Sequence, residues 1–276
     1  MKQPTLSLND GSQIPQLGFG TWQISEEHAA AAVSAALAAG YRLIDTASIY
    51  GNETGVGEGM LLSGVPRREI FVTTKLWNSH QGYDETLRAC DESLRRLRLD
   101  YVDLYLIHWP MPHRGRYLDS WRALLKLKNE GRARSVGVSN FQIPHLRRLL
   151  DETGAVPSIN QIELHPYFQQ RSLRVFHARH EIITESWSPL GQGGALLRNE
   201  RVLRIAQKHR KTVAQVVLRW HLDSDLVTIP KSADPGRIRE NFHVFDFRLD
   251  AEDIALLNDL DDPKGRIGPD PDTADF

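Results

Sequence analysis

Residues 102–108 read Val-Asp-Leu-Tyr-Leu-Ile-His, and their pattern is the clearest indication of the type of sheet that this chain forms. It is apolar almost throughout, whereas a strand with one solvated face would alternate apolar and polar residues. Such a run is typical of a parallel strand whose two faces are both covered by helices. Helical patterns flank it at Tyr83–Arg98 and Leu118–Asn129, which indicates a repeated βα unit.

The same alternation of short apolar runs and longer helical patterns extends in both directions along the chain. Eight runs predict strands at Leu17–Gly20, Arg42–Asp45, Ile70–Lys75, Val102–His108, Ala133–Val138, Ser158–Ile162, Ile182–Trp187 and Leu226–Ile229. The remaining helical patterns are Glu26–Ala39, Thr54–Leu62, Ile143–Leu150, Ser172–Arg179, Glu200–His209, Thr212–Leu222, Gly236–Asn241 and Ala251–Leu260. Eight βα units in about 250 residues favour an α/β fold of the closed (β/α)8 TIM-barrel type over an open sheet.

The two ends of the chain add a cap and a tail to this barrel. The turn Asn9-Asp10-Gly11 between two short apolar stretches predicts an N-terminal β-hairpin cap. The last helix is followed by a Pro/Asp-rich tail from Gly265, which we expect to be irregular. No linker divides the chain, so residues 1–276 are expected to form one domain. The sequence lacks the G-x-G-x-x-G/A motif that is typical of an open dinucleotide-binding sheet.

Composition and charge exclude several classes of protein. Hydrophobic residues make up 41% and charged residues 25%, as in ordinary soluble proteins. Lys+Arg 34 against Asp+Glu 35 leaves a formal charge of -1, so nothing draws the whole chain to nucleic acid or a membrane. The single cysteine, Cys90, excludes an intrachain disulfide and a multi-cysteine metal site. We expect a cytoplasmic monomer without a bound metal.

Four polar side chains are predicted on the face of the barrel where the βα loops meet. Asp45, Lys75 and His108 end strands, and Tyr50 follows in a loop. Singly, each has an ordinary structural role, such as a helix cap or a core histidine. Together they suit proton transfer, because an adjacent ammonium lowers the pKa of a phenol and a buried ammonium needs a carboxylate partner. His108 would then orient a substrate carbonyl beside Tyr50.

These residues lie within an ordered series of motifs that resembles the aldo-keto reductase family, and within it the bacterial reductases similar to 2,5-diketo-D-gluconate reductase. The resemblance covers nearly the whole chain. Its motifs are Leu17-Gly18-Phe19-Gly20-Thr21-Trp22, Leu43-Ile44-Asp45-Thr46-Ala47, Tyr50-Gly51-Asn52-Glu53, Val72-Thr73-Thr74-Lys75-Leu76-Trp77, Leu99 to Pro110, Gly137-Val138-Ser139-Asn140-Phe141, Asn160 to Pro166, Ile229-Pro230-Lys231-Ser232 and Arg237 to Phe242. It implies an NADPH-dependent reductase of small aldehydes or ketones, with Tyr50 as general acid and Asp45, Lys75 and His108 completing a catalytic tetrad.

The resemblance also implies which residues bind NADPH. The nicotinamide carboxamide needs paired hydrogen-bond donors and acceptors, and the nicotinamide ring needs an aromatic side chain to stack on. The phosphates need backbone N–H groups and cations. The residues are Ser139, Asn140 and Gln161 for the carboxamide, Trp187 for stacking, Ser188, Leu190 and Gly191 for the pyrophosphate, Lys231, Ser232 and Arg237 for the 2′-phosphate, and Glu240 and Asn241 for adenine. Asp234 adds a carboxylate to the same loop and leaves open how strongly NADPH is preferred over NADH.

The substrate mouth is predicted from aromatic residues that follow strands one, three and four. Trp22, Trp77 and Trp109 would give it apolar walls for a small carbonyl compound, with His108 beside them. The sequence leaves the substrate open among diketo-sugar acids, methylglyoxal-like dicarbonyls, aromatic aldehydes and β-keto esters.

Two other functions are compatible with a barrel of this kind. A non-catalytic, cofactor-sensing regulatory subunit would use the same fold, and a Schiff-base aldolase would use Lys75 at its strand end. The intact set of Asp45, Tyr50, Lys75 and His108 favours the reductase over both.

Overall fold

The computed structural model describes residues 3–276, and it begins with the predicted hairpin. Strands β1 (Thr5–Ser7) and β2 (Gln13–Pro15) pair antiparallel. Gly11 takes a φ of 87°, the left-handed conformation that the tight turn between them requires. Leu8 and Ile14 are buried in the apolar cluster inside the barrel, so the hairpin covers one end of it.

Eight parallel strands follow, each hydrogen-bonded to the next in chain order. They are β3 (Phe19–Gly20), β4 (Leu43–Asp45), β5 (Phe71–Leu76), β6 (Val102–Ile107), β7 (Ala133–Ser139), β8 (Ile159–Glu163), β9 (Ile183–Trp187) and β10 (Val227–Thr228). Leu17 forms a parallel bridge with Thr228, and the Gly18 N–H donates to Thr228 O at 2.8 Å, which closes the sheet into a barrel. The predicted (β/α)8 fold is confirmed.

The first and last barrel strands are shorter than predicted. The stretches Leu17–Gly20 and Leu226–Ile229 were expected to be strands, but the regular pairing is confined to Phe19–Gly20 and Val227–Thr228. The reason is the stagger at closure: Phe19 and Gly20 pair with β4, whereas Leu17 pairs with β10 on the other side.

Helices cover the outer face of the sheet at the predicted positions. They are α1 (Glu26–Ala39), α2 (Glu53–Leu62), α3 (Tyr83–Leu97), α4 (Tyr117–Asn129), α5 (Ile143–Thr153), α6 (Arg171–Arg179), α7 (Glu200–His209), α8 (Val213–Asp223), α9 (Pro235–Phe242) and α10 (Ala251–Asn258). Helix α5 runs three residues past its predicted end at Leu150, because it stops only where Gly154 adopts a φ of 65° as a left-handed cap. Among residues 3–276, no helix is long and apolar enough to cross a lipid bilayer.

Two apolar layers hold this arrangement together. Leu43, Leu104, Leu106 and Ile159 fill the barrel interior with the hairpin residues, and a larger cluster packs the helices onto the strands. Apolar filling of the interior leaves the carboxyl ends of the strands as the place for polar side chains.

Two glycines of helix α2 face the backbone of α1. A Cβ atom on Gly55 would stand 2.6 Å from Glu26 O, and one on Gly59 would stand 2.6 Å from Ala30 O. Real side chains do not tolerate such distances, so the backbones can meet only through glycine. Since α2 starts three residues after Tyr50, this contact also fixes the loop that carries the phenol.

Gly59→Ala should therefore destabilise the protein by about 1–3 kcal/mol, the usual cost of overpacking. Urea unfolding measures the difference. The matched control is Glu58→Ala, because Glu58 is the exposed neighbour on the same helix and should change stability by about 0.5 kcal/mol or less. Equal unfolding midpoints for the two variants would contradict the close contact.

Candidate active site

The structure brings the four predicted catalytic residues together at the mouth of the barrel. Lys75 Nζ donates to Asp45 Oδ1 at 2.6 Å and to Thr46 O at 3.0 Å. The same Nζ lies 5.2 Å from the centre of the Tyr50 ring. The Tyr50 and His108 rings are 5.7 Å apart, edge to face. A phenol, an ammonium, a carboxylate and an imidazole thus form one cluster.

A buried amide holds the loop of Tyr50 in place. Asn52 Nδ2 donates to Thr21 O and Ile24 O, both at 2.9 Å, and its Oδ1 accepts from Thr46 Oγ1 at 3.0 Å. These bonds tie the loop to the ends of the first two barrel strands. The motif Tyr50-Gly51-Asn52-Glu53 was part of the family resemblance, but its sequence alone did not indicate this role for Asn52.

The ion pair at the centre of the cluster is closed to solvent. Burial opposes the charge on Lys75, yet the carboxylate of Asp45 and the phenol of Tyr50 hold the pKa of the ammonium above its ordinary value. Burial raises the pKa of Asp45 above its ordinary value, although the charge of Lys75 and the hydrogen bonds from Lys75 and Gln161 act in the opposite direction. The 2.6 Å contact identifies the two groups as an ion pair.

The pKa of Tyr50 departs from the sequence-based expectation. Lys75 does lower it, as expected, but burial is the larger effect, and the net pKa is above the ordinary value of 10.0. The sequence predicted that Lys75 lies beside Tyr50, but it did not show how completely Tyr50 is buried. Burial and the charge of Lys75 lower the pKa of His108 well below 6.5. At neutral pH, Tyr50 is therefore a protonated phenol and His108 a neutral imidazole.

The residues assigned to the nicotinamide carboxamide are connected to this cluster. Ser139 Oγ donates to Gln161 O at 2.8 Å, and Asn140 Nδ2 donates to His108 O at 3.0 Å. Asn140 Oδ1 accepts from Trp187 Nε1 at 2.8 Å, which orients the half-buried indole. Asn140 has a φ of 64°, the left-handed conformation that asparagine adopts more readily than most residues with a side chain.

The loop after β9 carries the residues assigned to the pyrophosphate. Ser188 and Gly191 have φ values of 48° and 58°, and Gln192 and Gly193 follow at 53° and 74°. Within this loop the Gly191 N–H donates to Ser188 O at 2.9 Å and the Gly193 N–H to Leu190 O at 3.2 Å, so in this conformation both groups are bonded inside the loop. A cavity of about 630 Å³ lies between this loop and the C-terminal tail, away from the tetrad.

The residues assigned to the 2′-phosphate lie at and just before the start of α9, and those assigned to adenine lie in its last turn. Lys231 and Arg237 are exposed, and Ser232 is buried. Asp234 is the N-cap of α9, accepting from the Arg237 N–H at 2.8 Å, so its carboxylate has a structural role. Glu240 accepts from Thr212 Oγ1 at 2.9 Å. Asn241 is buried beside it, behind the exposed face of the helix.

The predicted aromatic mouth is only partly as expected. Trp77 packs edge to face on His108 at 5.2 Å, and Trp109 is buried, whereas Trp22 is 44% exposed at the rim. Phe276 completes the wall: its ring stacks on Trp77 at 5.7 Å and meets Trp109 at 5.1 Å. Sequence reasoning missed Phe276, because a tail without periodicity does not indicate where its side chains lie.

The irregular tail is anchored at Glu163, the last residue of β8. Its carboxylate accepts from the Ile267 N–H at 2.6 Å and the Gly268 N–H at 2.8 Å, and it contacts His165 Nε2 at 3.1 Å. Burial opposes its charge, but these hydrogen bonds hold the pKa of Glu163 below its ordinary value, so it is ionised at neutral pH.

Comparison with known proteins identifies the class to which this barrel and cluster belong. A model described as the Aldo/keto reductase family matches residues 16–262. The chain belongs to the aldo-keto reductase family and is an oxidoreductase, which confirms the resemblance seen in the sequence. Within residues 3–276, no cluster of three or more His, Cys, Asp or Glu side chains is placed to hold a metal ion.

Individual relatives are similar over their whole length. A Yersinia pestis protein named methylglyoxal reductase DkgA is 55% identical over 271 residues, 98% of this chain and 97% of the relative. The crystal structure of Gox0644 in its apo form is 53% identical, with a TM-score of 0.97 and 100% of both chains covered. A mutant of Gox0644 in complex with NADPH has 52% identity, a TM-score of 0.96 and the same coverage of 100%. The expected cofactor, NADP(H), is confirmed at the level of the family.

Glu163→Gln should loosen the tail, because a neutral amide accepts the Ile267 and Gly268 N–H groups more weakly than a carboxylate. We expect trypsin to cleave after Lys264 and Arg266 about tenfold faster than in the wild type. Mass spectrometry of the fragments measures this rate. Glu181→Gln, at an exposed site elsewhere, is the control. Equal cleavage rates in all three proteins would show that Glu163 does not anchor the tail.

Proposed function

We propose that this protein is an NADPH-dependent reductase of small dicarbonyl compounds in which Tyr50 is the general acid. The observation that carries the proposal is the buried Lys75–Asp45 ion pair, with a contact of 2.6 Å, directly beside the Tyr50 ring. A general acid must hold its proton at working pH and lie next to a group that stabilises the anion left behind. Tyr50 and Lys75 meet both conditions.

The chain's own residues fit the nicotinamide end of the cofactor. Asn140 and Gln161 offer amide groups at the strand ends, and Trp187 offers an indole held by its bond to Asn140. Bound NADPH supplies a hydride to the substrate carbonyl carbon. Lys231, Ser232 and the exposed Arg237 suit the 2′-phosphate, with the N-terminus of α9 beside them.

Tyr50 and His108 have different roles at the substrate carbonyl. His108 is neutral and lies at the mouth, so it can donate a hydrogen bond to the carbonyl oxygen and hold it near the Tyr50 hydroxyl. Tyr50 then gives its proton to that oxygen, and the ammonium of Lys75 stabilises the phenolate. Because the pKa of Tyr50 is raised, the acid form persists on the alkaline side of neutrality.

The substrate class rests on the mouth and on the relatives. Trp77, Trp109 and Phe276 make a narrow aromatic wall that suits a small molecule. Curated relatives carry the name methylglyoxal reductase, so a small dicarbonyl is the substrate class we propose.

The other functions that the sequence left open are disfavoured by the same geometry. An aldolase lysine must lose its proton to attack a carbonyl, whereas Lys75 is paired with Asp45 and its pKa is raised. A regulatory subunit would not need the complete cluster of acid, ammonium, carboxylate and imidazole.

The direct test is a panel of carbonyl compounds with NADPH consumption as the readout. Methylglyoxal, a diketo-sugar acid, an aromatic aldehyde and a β-keto ester cover the classes above. We expect methylglyoxal to give the highest kcat/KM. No NADPH consumption with any of them, or a borohydride-trapped adduct on Lys75, would refute the proposal.

Tyr50→Phe should abolish nearly all reduction and leave NADPH binding almost unchanged, because only the proton donor is removed. A general acid typically contributes about 10²–10⁴-fold to a rate. Steady-state kcat and the cofactor dissociation constant measure the two effects. Tyr101→Phe is the control, since Tyr101 lies just before the amino end of β6, at the opposite end of the barrel from the site, where its ring contacts Arg67 and Arg134. More than about a tenth of wild-type kcat in Tyr50→Phe would exclude the assigned role.

Arg237→Ala should weaken NADPH binding by about one to two orders of magnitude and leave NADH binding nearly unaffected. A charge-assisted hydrogen bond is worth about 1.5–3 kcal/mol, and only NADPH carries the 2′-phosphate. Tryptophan fluorescence quenching measures both dissociation constants. Arg239→Ala, an exposed arginine on the same helix, is the control. Equal losses for both cofactors would show that Arg237 does not bind this phosphate.

We further propose that residues 1–276 act as one domain and as a monomer in the cytoplasm. Every residue assigned to the site comes from a single chain, including the wall residue Phe276. Size-exclusion chromatography with light scattering tests the monomer.

A further inference from the structure

Glu185 is a buried carboxyl group inside the barrel that the mechanism above does not use. It lies on β9, fully buried, and its register partner on β8 is Gln161. Gln161 Nε2 donates to Glu185 Oε2 at 3.0 Å and to Asp45 Oδ2 at 2.8 Å. The second oxygen, Glu185 Oε1, is buried without a hydrogen-bond partner among residues 3–276. Glu185 therefore shares one amide with the catalytic carboxylate.

We propose that Glu185 is a positioning residue: with Asp45 it fixes the amide of Gln161 so that the amide oxygen faces the cofactor, and its protonation state sets the charge that the nicotinamide ring meets. The inference rests on the proposed function, because it requires the nicotinamide to bind beside Gln161 and Trp187.

The positioning argument follows from the hydrogen-bonding capacity of an amide. A glutamine amide has two donor hydrogens on nitrogen and one acceptor oxygen. Asp45 and Glu185 take both donors of Gln161, which leaves Oε1 as the free end. A flipped amide would place its oxygen against the carboxylate of Asp45, which is paired with Lys75 and can only accept hydrogen bonds. Gln161 can then only accept, which matches the NH2 group of a nicotinamide carboxamide.

The charge argument follows from burial and from the neighbouring carboxylate. Burial, and next the charge of Asp45, raise the pKa of Glu185 to about 8. Glu185 is therefore mostly neutral at neutral pH and becomes an anion on the alkaline side. Trp187 lies two residues further along β9 and on the same face, so this anion would form close to the stacked ring.

The other titratable groups around Glu185 do not account for a change of charge in this range. Across the barrel, Lys75 and Tyr50 have raised pKa values, and Lys75 pairs with Asp45. The partner of Glu185 on β10 is the apolar Val227. The other shifted groups on the surrounding strands and helices are His108, with a pKa well below 6.5, His177 on α6 and His221 on α8, with pKa values of about 3, and Glu163, paired with His165 at the mouth.

The expected consequence is a pH-dependent preference between the two redox forms of the cofactor. The oxidised nicotinamide ring is cationic and the reduced ring is neutral, so an anion at Glu185 favours NADP⁺. The ratio of the dissociation constants of NADPH and NADP⁺ should rise about tenfold between near-neutral pH and about pH 9. The 2′-phosphate is common to both forms and cancels in this ratio.

The test measures both dissociation constants by fluorescence quenching at the two pH values, in the wild type and three variants. Glu185→Gln keeps an acceptor for Gln161 but cannot ionise, so it should bind NADPH within about threefold of the wild type and lose the pH dependence of the ratio. Glu185→Leu removes the acceptor and should weaken NADPH binding about tenfold even at neutral pH. Thr184→Val, buried on the opposite face of β9, is the control and should retain the wild-type ratio at both pH values.

Two results would overturn the inference, and a measurement on the protein without cofactor separates it from the proposed function. Unchanged NADPH binding in Glu185→Leu would exclude the positioning role, and a persisting pH dependence in Glu185→Gln would exclude the charge role. If the wild type binds no NADPH, the proposed function and the positioning role fail together. Infrared spectroscopy of the free protein still tests the charge: a protonated carboxyl band at neutral pH should vanish in Glu185→Gln, and its absence from the wild type would refute the neutral acid.

Discussion

The ion pair between Lys75 and Asp45 is the interaction on which the site depends. Removing two charges from water is costly, and the cost is offset only when every remaining donor and acceptor is satisfied. Here Lys75 also reaches Thr46 O, and Asp45 also accepts from Gln161. The pair therefore connects the carboxyl ends of β4 and β5 and, through Gln161, the middle of β8. The phenol, the imidazole and the residues assigned to the cofactor are all arranged around it.

The apolar filling of the barrel explains why this cluster lies where it does. Leu43, Leu104, Leu106 and Ile159 occupy the interior below it, so the polar groups are confined to the carboxyl ends of the strands. Glu185 lies where the polar cluster meets the apolar filling of the barrel, and one of its oxygens has no hydrogen-bond partner among the described residues. An uncompensated acceptor at this depth favours the neutral acid over the carboxylate.

Much of this architecture could be predicted from the sequence, because the predicted features follow from local patterns. Continuous apolar runs located the strands, and the carboxyl ends of parallel strands necessarily share one face, which brought Asp45, Lys75 and His108 together. The burial of individual side chains was not predictable. The pKa of Tyr50 is raised because the phenol is buried, and no sequence motif shows that burial. Glu185 was missed because the pattern of a strand does not show which residues meet across a barrel. Phe276 was missed because an irregular tail has no pattern.

In the tail that carries Phe276, anchoring and the lining of the mouth are carried out by different residues. Its backbone is held by a carboxylate on β8, while its last aromatic ring forms a wall of the mouth. The barrel strands and the cluster of Asp45, Tyr50, Lys75 and His108 are built from residues outside the segment between Gly268 and Phe276, and this segment reaches the cluster only through the stacking of Phe276 on Trp77. In evolutionary terms, this segment is a place where a new substrate range could arise by a few substitutions, with little penalty to folding or to the chemical step.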